Sequence, residues 1–312
     1  MYPLFLKPVT EERPWGSGEL ALKCGLKCGE LAAETILLSS SERFISTVKD
    51  GTYKGKKLTD VFALENRKLL GARATKHIYF PLSVRLYTAE SETPLTVLPG
   101  KLLLKQAGGC CPGDRLWYVL SADGNSEAVC GFNRNLSPGE LENRLRGPAF
   151  DGGLNRISLK KGDSVFIPAN VPCAIGSGMS VLEIRRNCEN SFCVADAVKG
   201  FYTPREEFFE SEMLSYISLR KSQNPVIAPA FADTGTVELY SDNHFTVYKI
   251  LLNGETDIYN KFSFVFVFVA EGKAEMYSSA KKRKIKKGDS ILIPAGVNAT
   301  MFGEAEFICT QI

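Results

Sequence analysis

The chain has 312 residues, with 38 Lys and Arg against 35 Asp and Glu, 44% hydrophobic residues and 23% charged residues. This is the composition of an ordinary globular protein, and the formal net charge of +3 gives no electrostatic reason to expect a nucleic acid or an acidic membrane as partner. Only two histidines are present, which disfavours the common metal enzymes that place two or three histidines at one site.

The start of the sequence and its longest apolar run both predict a cytoplasmic protein. Residues 1–16 contain only a short apolar stretch, interrupted by Pro3 and Lys7, which is not the pattern of a signal peptide. The run from Phe264 to Ala270 is too short to span a bilayer, which needs about 20 residues. We therefore expect the nine cysteines to be free thiols, and they contain no CxxC pair.

Helix signals are sparse. Residues 58–70 and 205–216 are candidates, but the clearest helix is predicted over 137–146. There Ser137 can cap the helix, Pro138 suits its first turn, and Glu140 lies three residues after the cap.

Short runs rich in Val, Ile, Phe and Tyr recur along the chain and predict strands. They include residues 117–120, 180–184, 245–250 and 264–269. The run at 264–269 is apolar on both faces, which indicates a central buried strand. The spacing of these runs favours an all-β sandwich or barrel.

A repeated segment indicates two similar domains. Residues 157–175 read ISLKKGDSVFIPANVPCAI and residues 283–301 read RKIKKGDSILIPAGVNATM, so Pro168 aligns with Pro294. Each copy has a Gly-Asp turn, an apolar strand and a turn with proline, which is one β-unit. We predict an N-terminal domain over 1–203, a connection over 204–238 and a C-terminal domain over 239–312.

Several further motifs follow one another in a fixed order from end to end. They read RPWG at 13–16, GTYKGKKL at 51–58, FPLSVR at 80–85, WY at 117–118 and IPAG at 293–296. Together with the Gly-Asp units, this series resembles the short bacterial form of class I mannose-6-phosphate isomerase, a double-cupin zinc enzyme. The resemblance implies an all-β fold of two cupin (jelly-roll β-barrel) domains with a few short helices.

The zinc site that the resemblance implies is changed at all four ligand positions. Thr96 and Leu98 stand where the family has Gln and His, Arg115 stands at the Glu position, and Cys173 stands at the second His position. Cys193 takes the place of the family's catalytic Arg. Leu98 cannot bind a metal, and Arg115 brings a positive charge where a cation belongs. We therefore expect no cofactor and no zinc-dependent isomerase activity.

The first functional hypothesis is a degenerate relative of the isomerases that keeps a binding pocket for a phosphorylated sugar. Arg85, Arg115 and Arg185 are the candidate contacts, because a guanidinium group suits the geometry of phosphate. The competing interpretation places these arginines on the surface at strand ends.

Two alternatives stay open. One is an active isomerase whose zinc is held by thiolates of Cys173, Cys193 and either Cys110 or Cys111, although a buried cysteine is often only a small hydrophobic side chain. The other is a structural or protein-interaction cupin with no ligand. Neither a nucleic acid nor a membrane is expected as a partner.

Overall fold

The fold comes from a computed structural model that describes residues 1–41, 43–77, 80–100, 113–124, 126–146, 150–187, 191–198, 201–205, 217–223, 225–227, 235–279 and 281–312. The predicted helix over 205–216 lies almost entirely outside these residues. Within the described ranges, no helix is long and apolar enough to cross a membrane.

Strands dominate the molecule. In chain order they are β1 (Leu4–Lys7), β2 (Val9–Glu12), β3 (Ala32–Leu38), β4 (Thr47–Val48), β5 (Leu82–Ala89), β6 (Leu95–Val97), β7 (Arg115–Ser121), β8 (Glu127–Phe132), β9 (Leu154–Ser158), β10 (Ser164–Ile167), β11 (Cys173–Ala174), β12 (Met179–Arg186), β13 (Phe192–Val198), β14 (Phe201–Pro204), β15 (Val226–Ile227), β16 (Gly235–Ser241), β17 (Thr246–Ile258), β18 (Val265–Ser278), β19 (Lys281–Lys286), β20 (Ser290–Ile293) and β21 (Ala299–Gln311). The helices are α1 (Gly18–Lys23), α2 (Leu58–Leu70) and α3 (Pro138–Leu145), with short 3-10 turns at Gly71–Lys76 and Asp151–Gly153. The prediction of an all-β protein with a few short helices is confirmed.

Two antiparallel sheets form the first barrel. One has the strand order β15-β10-β7-β12-β5-β3-β2, and the other has the order β14-β13-β6-β11-β8-β9. Side chains from both sheets meet in one apolar cluster, which contains Trp117 and Val181 from the first sheet and Cys130 and Cys173 from the second. The two sheets therefore pack face to face, as the two halves of a jelly roll do.

The C-terminal domain is built on one sheet with the order β16-β17-β21-β18-β20-β1-β4, and β19 pairs with β18. Strand β18 lies between β20 and β21, so the predicted central buried strand is confirmed. Its side chains alternate: Val267 faces the core of this domain, whereas Phe266 and Phe268 face the large cluster shared with the first barrel. A strand with a core on each side must be apolar on both faces, which explains the continuous apolar run.

The N-terminal domain predicted over 1–203 does not account for the pairing of β1. Leu4 pairs with Leu292 and Leu6 pairs with Val48, so the first strand of the chain lies in the C-terminal sheet. The boundaries of the three predicted segments stay a prediction.

The two Gly-Asp units have the same geometry. Gly162 and Gly288 have φ values of 92° and 87°, in the left-handed region that glycine adopts without steric cost. Asp163 accepts the backbone N–H of Lys160 at 2.9 Å, and Asp289 accepts that of Lys286 at 2.9 Å. The repeat seen in the sequence is therefore a structural repeat.

Helix α3 offers a local test of stability. The backbone N–H of Glu140 donates to Ser137 Oγ at 3.3 Å, and the backbone N–H of Ser137 donates to the Glu140 carboxylate at 2.8 Å. We expect Ser137→Ala to lower the free energy of unfolding by about 1 kcal/mol, because it leaves a helix N–H without its cap. Urea unfolding measures this change, with the exposed Ser158→Ala as control. Equal midpoints for the two variants would contradict the prediction.

Candidate functional site

The first barrel contains a cavity of about 1030 Å³. Its lining includes Arg85, Arg115 and Arg185, the three arginines singled out from the sequence, together with Thr96 and Cys173. Three of the four substituted ligand positions thus meet in one cavity.

Leu98 is the exception among those four positions. It is fully buried and lies outside the lining of the cavity, although its backbone carbonyl accepts the N–H of Asn170 at 2.7 Å. The side chain at this position therefore serves packing.

Strand register explains why the three arginines meet. Strand β12 lies between β5 and β7, with Glu183 opposite both Arg85 and Trp117, and Arg185 opposite Arg115. Because residues directly opposite each other share a face of the sheet, all five side chains project to the same side. They form the floor of the cavity.

The same floor carries two carboxylates. Glu183 is 1% exposed and accepts hydrogen bonds from Trp117 Nε1 at 2.9 Å and Arg115 Nη1 at 3.4 Å. Arg185 Nη1 lies 3.4 Å from its other carboxylate oxygen, and Arg85 contacts the carboxylate of Glu34. We call Arg85, Arg115, Arg185, Glu34 and Glu183 the arginine cluster.

Electrostatics keep Glu183 ionised. Burial alone would raise the pKa of Glu183, but the charges of Arg185 and Arg115 and the hydrogen bond from Trp117 together lower it. Burial and repulsion from Arg85 lower the pKa of Arg185. With three guanidinium groups and two carboxylates, the cluster carries more basic than acidic groups.

Unused hydrogen-bond donors point to the same excess. Arg115 Nε and Nη2 and Arg185 Nε are buried and have no hydrogen-bond acceptor in the described part of the chain. Buried polar groups are normally paired, because leaving one unpaired costs about 1–3 kcal/mol. Three guanidinium groups against two carboxylates, with free N–H groups, form a site suited to an anion.

The burial of the arginines contradicts their interpretation as surface charges. Arg85, Arg115 and Arg185 are 8%, 3% and 2% exposed. Long charged side chains are almost never this buried unless they are paired, which agrees with the carboxylates Glu34 and Glu183 beside them.

The donors at the former ligand positions do not fit zinc. Arg115 occupies the cavity floor, and its interactions with Cys173 and Glu183 outweigh burial and raise its pKa, so the guanidinium group stays charged. Burial raises the pKa of Cys173 to about 12, although Arg115 partly offsets this effect. Among the residues that the structure describes, no three His, Cys, Asp or Glu side chains are grouped as metal ligands.

The cysteines do not assemble as the zinc–thiolate hypothesis requires. Cys173 on β11 and Cys193 on β13 both pair with Thr96 on β6, so their backbones are two strand spacings apart, about 9–10 Å. Cys110 and Cys111 lie outside the described residues. The sulfur-bearing neighbour of Cys173 is instead Cys130 on β8, which nothing local in the sequence identifies.

The two histidines do not contribute to the large cavity. His77 and His244 line a separate cavity of about 230 Å³, together with Arg186. His244 is exposed in a turn, as expected from its sequence context.

Aromatic side chains complete the lining, and sequence reasoning did not assign them to the site. Trp15 and Tyr87 are stacked with ring centroids 6.4 Å apart, and Phe44 and Trp117 also line the cavity. Trp15 lies in the RPWG motif and Trp117 in the WY motif, which were the available signals. A ligand here meets apolar ring faces as well as guanidinium groups.

A larger groove of about 1790 Å³ runs along the C-terminal sheet, and its lining carries equal numbers of basic and acidic side chains. Lys287 lies 2.8 Å from Glu271, and Arg283 lies 2.5 Å from Asp50. The groove therefore lacks the excess of positive charge that the arginine cluster has.

Comparison with known proteins gives one consistent result. The family model described as "Mannose-6-phosphate isomerase, cupin domain" matches residues 236–312. A protein named mannose-6-phosphate isomerase from Streptococcus mutans is 27% identical over 99% of this chain and 98% of its own length. The mannose-6-phosphate isomerase ManA of Bacillus subtilis is 26% identical over 99% of each chain. The crystal structure of a mannose 6-phosphate isomerase from Bacillus subtilis matches with a TM-score of 0.85 at 26% identity and covers 100% of both chains. The similarity thus extends over both domains.

Proposed function

Because the chain is a mannose-6-phosphate isomerase-like double cupin, we propose that it binds a phosphorylated sugar in its first barrel without catalysing zinc-dependent aldose–ketose isomerisation. The observation that carries this proposal is Arg115. It stands at a former zinc-ligand position, is 3% exposed and has two N–H groups without an acceptor in the described residues.

The phosphate end of the ligand would bind at the arginine cluster. Arg115 and Arg185 hold the unused N–H groups that a phosphate oxygen can accept. Glu183 holds both guanidinium groups in place through its two carboxylate oxygens. The charged floor is therefore oriented before the ligand arrives, which reduces the ordering that binding requires.

The sugar ring would pack against the aromatic part of the lining. Trp15 and Tyr87 present stacked rings in the same cavity, and Phe44 lies 4.8 Å from the guanidinium group of Arg43. Apolar ring faces suit the C–H face of a hexose, while the guanidinium groups distinguish a phosphorylated sugar from a neutral one.

Isomerisation in this family depends on zinc, as the resemblance implies. The metal would polarise the sugar oxygens as a Lewis acid. Here Thr96, Arg115 and Cys173 supply one hydroxyl group, one cation and one thiol at the matching positions, which supports loss of that chemistry. Despite its burial, the charges of Arg185 and Arg115 and the hydrogen bond from Trp117 lower the pKa of Glu183, so this carboxylate is a weak base for the proton transfer.

The test combines binding and turnover on the intact protein. We expect mannose 6-phosphate and fructose 6-phosphate to raise the melting temperature, while mannose does not, because a ligand that binds only the folded state stabilises it. Inorganic phosphate alone distinguishes anion binding from sugar recognition. We also expect no conversion of mannose 6-phosphate into fructose 6-phosphate with added zinc.

The two alternatives give different results in these assays. Stoichiometric zinc in the purified protein together with turnover would establish an active isomerase with a rearranged site and overturn the proposal. The names of the curated relatives favour that alternative. If no sugar phosphate shifts the melting temperature and no turnover occurs, a structural cupin without a ligand is the remaining function.

A further inference from the structure

Cys130 and Cys173 form a cross-strand pair in the first barrel. They lie directly opposite each other on the antiparallel strands β8 and β11. One residue beyond this pair on each chain segment, the N–H of Gly131 donates to the carbonyl of Pro172 at 2.7 Å. Because hydrogen-bonded and non-hydrogen-bonded pairs alternate, the cysteine pair is a non-hydrogen-bonded one.

That position suits a disulfide. Non-hydrogen-bonded pairs hold their Cα atoms about 4.5 Å apart and bring their side chains together. Disulfides join Cα atoms that are about 4.4–6.8 Å apart. The backbone of β8 and β11 therefore already has the spacing that a bond between Cys130 and Cys173 needs.

The cavity gives a small reagent access to the pair. Both thiols are free and belong to the apolar cluster between the two sheets, with Cys130 2% and Cys173 1% exposed. Cys173 lines the cavity, whereas Cys130 does not, so a solute in the cavity meets Cys173 first. A molecule close to the size of water therefore fits this approach.

Arg115 acts on both thiols. Burial raises the pKa of Cys173 to about 12 and that of Cys130 to about 11, and the positive charge of Arg115 opposes this effect for each. At neutral pH the pair is therefore protonated and reacts slowly, since the thiolate is the nucleophile. The unused N–H groups of Arg115 are available to a developing anion next to Cys173.

We propose that Cys130 and Cys173 are a modification site at which hydrogen peroxide forms an intramolecular disulfide. The Cys173 sulfur attacks one peroxide oxygen, the O–O bond breaks, and one water leaves with the thiol proton. Cys173 is then a sulfenic acid, which the Cys130 thiol attacks to form the S–S bond and release a second water. The two thiols lose two electrons and two protons in total, and the peroxide is reduced to two waters.

The bond would cross-link β8 to β11 in the sheet that carries Thr96. It would also remove a thiol from the wall of the cavity beside Arg115. This inference stands on strand register and is independent of the proposed sugar-phosphate ligand.

The test treats the reduced, intact protein with hydrogen peroxide and maps its cysteines by mass spectrometry without reduction. We expect a linked Cys130–Cys173 peptide, a mass loss of about 2 Da from the two protons, and recovery of both thiols with dithiothreitol. The initial rate should rise about tenfold per pH unit between pH 7 and 9, because the thiolate fraction of a high-pKa thiol rises in that proportion.

Two variants make the outcome specific. Cys130→Ser should remove the linked peptide and leave Cys173 as a sulfenic acid that a dimedone probe traps. Cys28→Ser, which changes a partly exposed thiol elsewhere, should form the bond as wild type does. The proposal is overturned if wild-type Cys130 and Cys173 stay free while Cys28 is oxidised, or if Cys173 pairs with another cysteine.

Added mannose 6-phosphate separates this inference from the proposed function. Slower oxidation in its presence indicates a ligand over Cys173. Unchanged oxidation with an intact Cys130–Cys173 bond counts against the ligand and leaves the disulfide site established.

Discussion

Glu183→Gln is expected to lower the free energy of unfolding by about 3–5 kcal/mol, the usual cost of removing one partner from a buried ion pair. Glu183 is 1% exposed and is the carboxylate shared by Arg115 and Arg185. The glutamine side chain keeps the shape and can still accept from Trp117, so the loss comes from charge. Two buried guanidinium groups are left without their counter-ion.

Chemical unfolding at neutral pH measures this effect, and the exposed Glu255→Gln is the matched control. The control should change stability by less than about 0.5 kcal/mol. Near-equal stability of the two variants would mean that Glu183 does not compensate the arginines.

The pH dependence of the free energy of unfolding gives a second, independent test of the role of Glu183. Its pKa in the folded state lies below the ordinary value of 4.5, so its stabilising contribution is complete above that value and is lost as the pH falls through the folded pKa. The difference between wild type and Glu183→Gln should therefore be largest at neutral pH and shrink in acid.

Arg115→Met is expected to weaken binding of mannose 6-phosphate by about 10- to 150-fold. Hydrogen bonds to charged groups contribute about 1.5–3 kcal/mol, and each 1.4 kcal/mol corresponds to a factor of ten. Methionine keeps an unbranched apolar side chain and removes the charge and its free N–H groups. It also leaves Glu183 paired with Arg185 and Trp117, so the barrel should still fold.

Isothermal titration calorimetry at one fixed salt concentration measures the dissociation constant of mannose 6-phosphate for wild type and for Arg115→Met. Arg134→Met removes an arginine from the exposed ion pair with Glu140 and should change the dissociation constant by less than about twofold. An unchanged dissociation constant in Arg115→Met would show that the phosphorylated sugar, if bound, is held elsewhere.

The sequence predicted well those parts of the fold that depend on neighbouring residues in the chain. The capping residues Ser137 and Glu140 form the expected capping box, and the apolar run from Phe264 becomes the central strand of its sheet. The repeated Gly-Asp units form matching turns. Each of these features depends on residues close together in the chain, where side-chain type decides the backbone conformation.

The site was predicted only in part, because it depends on strand order. Arg85, Arg115 and Arg185 were named, but their meeting on one floor follows from β12 lying between β5 and β7. The role of Glu183 was missed for the same reason. Whether Cys173 and Cys193 lie close together was left open for the same reason, and β6 lies between their strands.

The pairing of β1 with β20 has a consequence for how the molecule is made. Leu4 and Leu292 are 288 residues apart. Strand β1 is synthesised near the start of translation, but it can pair with β20 only after almost the whole chain has been made. Contacts of such long range slow folding and leave strand edges exposed meanwhile. The segment 236–312 lacks β1 and β4, so on its own it would present β20 as an unpaired edge. The C-terminal sheet is therefore complete only when strands from both ends of the chain are present.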